Sequence, residues 1–138
     1  MLKFFPFLFV MFMSNMSFSQ ENYSLSIEFD GLSTEKGKLF ISLYNTEIDF
    51  LKNAVKRVEV GIKNGKAIAY FDNLERGVYA ISSFHDKNNN GKMDTNFLGM
   101  PKEPVACSNN AKGSFGPPKF KDAKFNINNE DLLIKITF

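Results

Sequence analysis

After the first twenty positions, hydrophobic and polar residues alternate along most of this chain, and a period of two marks half-buried strands. Over positions 23–32, Tyr23, Leu25, Ile27 and Phe29 share one face, and Ser24, Ser26 and Glu28 share the other. Positions 38–44 repeat the pattern with Leu39, Ile41 and Leu43, and positions 56–63 with Val58, Val60 and Ile62. Asn64-Gly65 stands between two such runs. Both central residues of a type I′ turn need positive φ, which Asn and Gly tolerate, so a hairpin into a return strand over 66–71 is predicted. Positions 78–84 are strand-like on both faces and read as a central strand. Positions 123–127 and 132–138 are expected to form the last pair, with clean alternation in Leu132, Ile134, Ile136 and Phe138. Positions 45–54 break the alternation, and Phe50 and Leu51 are expected to plug one end of the core.

About seven strands, closely spaced turns and no amphipathic helix predict an all-β fold: an antiparallel β-sandwich, immunoglobulin-like or transthyretin-like. A small closed barrel is the alternative. The segment Leu74-Glu75-Arg76-Gly77-Val78-Tyr79 resembles the L-x-x-G-x-Y opening of a central strand in transthyretin-like and carboxypeptidase-regulatory-like sandwiches. That resemblance implies a fold and, by itself, no function.

Composition adds a compartment. In the first twenty residues, Lys3 precedes an apolar run over 4–13, and Ser17-Phe18-Ser19 places small residues two apart. This is the pattern of a secretory signal peptide, its apolar core too short to span a bilayer as a stable anchor, with cleavage expected near Ser19 or Gln20; an N-terminal membrane tether is the alternative. A secreted or periplasmic protein is therefore expected, with a single mature domain over 21–138 and no membrane span after cleavage. The 138-residue chain carries 17 basic and 15 acidic residues, a formal charge of +2, and removing Lys3 leaves a near-neutral domain. Such a balance gives no electrostatic reason to bind nucleic acid or an anionic membrane. Cys107 is the only cysteine and has no internal partner. A monomer with a buried, inert thiol is expected.

The chemistry gathers in the one long segment without strand alternation, and a functional loop is expected over 85–122. Loops of this length in compact domains are functional or disordered. Its apolar residues Phe97, Leu98, Met100, Val105 and Phe115 are expected to seek burial, which favours an ordered loop over one end of the sandwich. It opens as Asp86-Lys87-Asn88-Asn89-Asn90-Gly91-Lys92-Met93-Asp94. Oxygen side chains at Asp86, Asn88, Asn90 and Asp94, a backbone carbonyl at Lys92, and Gly at the sixth position match the front of a Ca²⁺-binding loop. The twelfth position is Phe97, so the bidentate Glu of an EF-hand is absent, and Lys87 and Lys92 add repulsion. A bound Ca²⁺ then needs oxygen from elsewhere, with Asn96, Glu103, Asn109 and Asn110 as candidates. The plainer reading is a metal-free loop of Asx turns.

Farther on come Ser108-Asn109-Asn110-Ala111 and Phe115-Gly116-Pro117-Pro118. Together, H-D-x-N-x-N-G-x-x-D-x-N-x-x-G-x-P-x-E over 85–103, S-N-N-A over 108–111 and F-G-P-P-x-F-x-D-A over 115–123 resemble a bacterial secreted family called domain of unknown function 2141. Many of its members carry Gly or an aromatic just before S-N-N, where this chain has Ala106-Cys107. The resemblance implies that the site lies in this segment; it implies no reaction. His85, Asn96, Glu103, Ser108, Asn109 and Asn110 are the candidate ligand-binding residues.

No catalytic residue is assigned. His85 and Asp86 are neighbours on a strand and point to opposite faces. A thiol triad of Cys107, His85 and Asn109 has no local signature behind it. A binding or accessory module of unknown ligand is the first expectation. The alternatives are a metal-assisted hydrolase using His85, Asp86 and Asp94, and a structural partner of an envelope protein.

Overall fold

The computed structural model describes residues 17–138, so most of the expected leader lies outside the described residues. Eight strands form: β1 (Tyr23–Asp30), β2 (Lys38–Tyr44), β3 (Lys56–Val60), β4 (Ala67–Leu74), β5 (Gly77–Asp86), β6 (Val105–Cys107), β7 (Phe125–Ile127) and β8 (Leu132–Thr137). A 3₁₀ turn covers Ser108–Asn110, and α1 is a single helical turn, Phe120–Ala123. The strands make two sheets: one of order β4-β1-β8, the other of order β3-β2-β5-β6 with β7 also paired to β5. All pairings are antiparallel except β1 with β8, which run parallel from Leu25↔Leu132 to Asp30↔Thr137. The fold is the all-β sandwich that the alternation predicts.

The faces are those of the sequence pattern. Leu25, Ile27 and Phe29 of β1 meet Leu39, Ile41 and Leu43 of β2 and Ile81 of β5, all fully buried between the sheets. Each such side chain contributes roughly 1.5–3 kcal/mol when withdrawn from water. β5 is central, as its two apolar faces imply. β2 lies along one edge (Leu39↔His85, Leu43↔Ile81), and β6 and β7 share the other (Phe84↔Val105, Tyr79↔Phe125).

Several pairings differ from expectation. Asn64 (φ 53°) and Gly65 (φ 70°) do make the two-residue turn, closed by the reciprocal Lys63–Lys66 bonds at 2.9 and 3.0 Å. Yet β3 pairs with β2, and β4 pairs with β1 in the other sheet, so the turn carries the chain between layers. The last two strands do not pair either: β7 joins β5, and β8 joins β1. Period-two alternation specifies which face a residue takes and is silent about which strand lies alongside.

The eighth strand, β6, interrupts the long loop; at three residues it is too short to show a period. Phe50 does not plug an end of the main core. It packs on the outer face of the larger sheet with Tyr44, Ala80, Cys107 and Ala123. Its ring meets Tyr44 edge-on at 5.3 Å and Phe120 at 5.7 Å. Leu51 stays partly exposed. Among the described residues, no helix is long and apolar enough to cross a membrane.

Candidate functional site

Strand β5 delivers the site. Its last residue, Asp86, pairs with Lys38 of β2, and Gly37 lies directly against the Asp86 carbonyl. A Cβ at position 37 would overlap that carbonyl, and φ there is +76°. The Asp86 side chain is fully buried. One of its oxygens accepts from the Asn90 N–H at 3.2 Å and the other from the Gly91 N–H at 2.8 Å. Gly91 (φ 79°) permits the bend that brings both amides back. Asn88 Oδ1 accepts from Asn90 N–H at 3.3 Å, and Asn90 Oδ1 from Lys92 N–H at 3.1 Å. The spaced Asp and Asn residues thus fold as successive Asx turns around a buried carboxylate.

Asp94 closes the ring. Asn90 Nδ2 donates to both of its oxygens, at 2.9 and 3.0 Å, and Asn88 Nδ2 donates at 2.6 Å. These bonds, Asn90 first, hold the Asp94 carboxyl below its ordinary value. Glu103, nearly buried, returns from beyond the tip of the loop. Its two oxygens accept from Lys87 N–H at 3.2 Å and Asp94 N–H at 3.3 Å. Of the four residues put forward as an extra oxygen source, Glu103 alone bonds into this ring.

Asn96 serves the turn beyond it. Its Oδ1 accepts from Leu98 N–H at 2.9 Å and Met100 N–H at 3.0 Å. Asn96 N donates to Met100 O at 2.9 Å, and Lys102 N to Asp94 O at 2.8 Å. The result is a small closed tip that holds its apolar residues outward: Phe97 is 95% exposed, Leu98 68% and Met100 59%. Val105 and Phe115 are exposed as well. The expectation that these five seek burial is corrected. Polar bonds, and not apolar contact, order this loop.

The remaining candidates lie elsewhere. His85 is fully buried, and its Nε2 donates to Lys36 O at 2.7 Å. A carbonyl only accepts, so Nε2 carries a hydrogen, and Nδ1 is without a partner among the described residues. Ser108 is fully buried: its hydroxyl accepts from Ile81 N–H at 2.9 Å and donates to Ala123 O at 2.5 Å. Asn109 (φ 58°) donates to Asp122 O at 3.2 Å and Lys124 O at 2.8 Å. Asn110 Oδ1 accepts from Thr137 N–H at 3.0 Å. S-N-N therefore staples β5, α1, the entry to β7 and β8 together.

Cys107 faces the outer cluster, and burial pushes its thiol from 9.0 up to about 11. His85 bonds to neither Cys107 nor Asp94 among the described residues, so neither a thiol triad nor a His–Asp pair is assembled. Lys87, Thr95 and Lys102 line an open hollow beside Asn88, Asp94 and Glu103. Sequence reading singled out neither Thr95, which follows Asp94 in the chain, nor Lys102, which precedes Glu103.

The oxygen groups of the ring are hard donors: three carboxylates and two amide oxygens. That set suits Ca²⁺ and not a soft metal. Among the described residues no three His, Cys, Asp or Glu side chains cluster tightly enough to hold a metal unaided. The amide oxygens, with the Lys92 carbonyl that the loop spacing puts forward, would have to complete the shell. Fold and loop together define a β-sandwich with an Asp/Asn-rich loop fixed at the end of its central strand. The family described as "Uncharacterized protein conserved in bacteria (DUF2141)" matches residues 27–135, and the chain belongs to it. No curated protein and no solved structure matches.

Proposed function

We propose that this is an exported β-sandwich binding or accessory module whose loop between β5 and β6 takes up Ca²⁺. One observation carries the reading. Asp86 is fully buried and Glu103 nearly so, both bond into the same ring as Asp94, and none of the three forms an ion pair among the described residues. Buried carboxylates are costly unless a cation or sufficient hydrogen bonds offset them. Here each buried carboxylate oxygen accepts only one backbone N–H. Carboxylate and carbonyl oxygens retain lone pairs beyond the bonds they accept. Ca²⁺ takes roughly 6–8 oxygens in flexible geometry. Asp86, Asn88, Asn90, Lys92 (by its carbonyl), Asp94 and Glu103 are its ligands in this reading. Binding would replace the amide bonds to Asp94. Export is supported by the leader-like composition of residues 1–20.

Thermal melting tests the proposal. At a hundred times its dissociation constant, Ca²⁺ should stabilise the protein by about 2.7 kcal/mol. Glu103→Gln and Asp94→Asn should shrink that shift. A wild-type melt that is the same in CaCl₂ and in EDTA sinks the reading.

A further inference from the structure

The Asp/Asn ring runs directly into the apolar tip, which leaves Phe97, Leu98 and Met100 largely exposed. Single exposed apolar residues are ordinary, but three on one hydrogen-bonded turn make a patch that calls for an occupant. Near the base of the tip, Lys87 and Lys102 line the open hollow, and Lys92 stands exposed on the ring. These three lysines balance the carboxylates of Asp86, Asp94 and Glu103, so a bound Ca²⁺ turns the base of the tip positive. An apolar apex above a cationic collar matches a lipid interface, where acyl chains receive the apex and headgroup phosphates meet the collar.

We infer that the tip over residues 97–100 inserts into an anionic phospholipid surface, with Lys87 and Lys102 holding headgroup phosphate when Ca²⁺ fills the ring. The inference rests on the calcium reading for its charge. Vesicle flotation of the purified protein tests it, using phosphatidylcholine alone and phosphatidylcholine with about a quarter phosphatidylglycerol. In millimolar CaCl₂ the wild type is expected to float with the anionic vesicles. Flotation should fall by at least about tenfold in EDTA, on phosphatidylcholine alone, and in Phe97→Ser/Leu98→Ser. Both substituted side chains are exposed, so that variant should keep the wild-type melt and its calcium shift.

If the wild type stays off anionic vesicles while CaCl₂ still raises its melting temperature, the lipid inference falls and the calcium reading stands. If the melt is also unmoved, both fall. Flotation that survives the tip substitutions overturns insertion. So does a soluble protein that captures the tip when vesicles do not.

Discussion

Ser108 is as deeply buried as any core isoleucine, yet its hydroxyl is what the fold uses. β7 pairs with β5 as far as Tyr79 and β6 pairs with it from Ser82, which leaves Ala80 and Ile81 between them without a strand partner on that edge. The Ser108 hydroxyl fills this gap. Ser108→Ala would strand the Ile81 N–H and the Ala123 carbonyl, at a cost of about 1–3 kcal/mol. The urea midpoint should drop accordingly, with the calcium response unchanged. Cys107 makes a pH prediction. Its folded value is raised, so its contribution is fully present below the ordinary 9.0 and is lost as pH rises through about 11. Urea midpoints between those pH values should fall less steeply in Cys107→Ala than in the wild type. Asp94 has the opposite sign. Its folded value is lowered, chiefly by Asn90, so its contribution is present above the ordinary 3.8 and fades as pH falls below it. Asp94→Asn should flatten that acid limb.

At the scale of elements, the loop depends on two glycines in different ways. Gly91 has positive φ and open space around it, so Gly91→Ala should cost only backbone strain, about 1–2 kcal/mol. Gly37 has positive φ and the Asp86 carbonyl against it, so Gly37→Ala should cost clearly more and also weaken calcium binding. Comparative melts with and without CaCl₂ separate the two.

The same elements show what can be read from the chain. Strand faces are legible because Leu25, Ile27 and Phe29 repeat every second residue, a local property. The Asx turns of Asp86, Asn88 and Asn90 are legible because their partners lie within five residues. Strand partners are not: β3 and β4 flank a correctly placed turn and still enter different sheets. Nor is the role of S-N-N, whose partners lie 13–27 residues away. The exposed tip defied the burial rule because Asn96 holds its backbone with polar bonds that hydrophobicity cannot register.

For the whole molecule, the site is an extension of the most constrained strand. β5 is paired along both edges, and its residues belong to the cores on both faces of its sheet. A cation held by Asp86 should therefore stabilise the sandwich as a unit, and not the loop alone. Hydrogen exchange should slow in β5 and β2 on adding CaCl₂, beyond any protection within residues 87–104. The most direct measurement is an X-ray structure from crystals grown in CaCl₂. The predicted result is a single anomalous peak bounded by Asp86, Asn88, Asn90, Asp94 and Glu103, with oxygens at about 2.3–2.6 Å. A ring with no such peak, and with the Asn88 and Asn90 amides still donating to Asp94, would contradict the calcium reading.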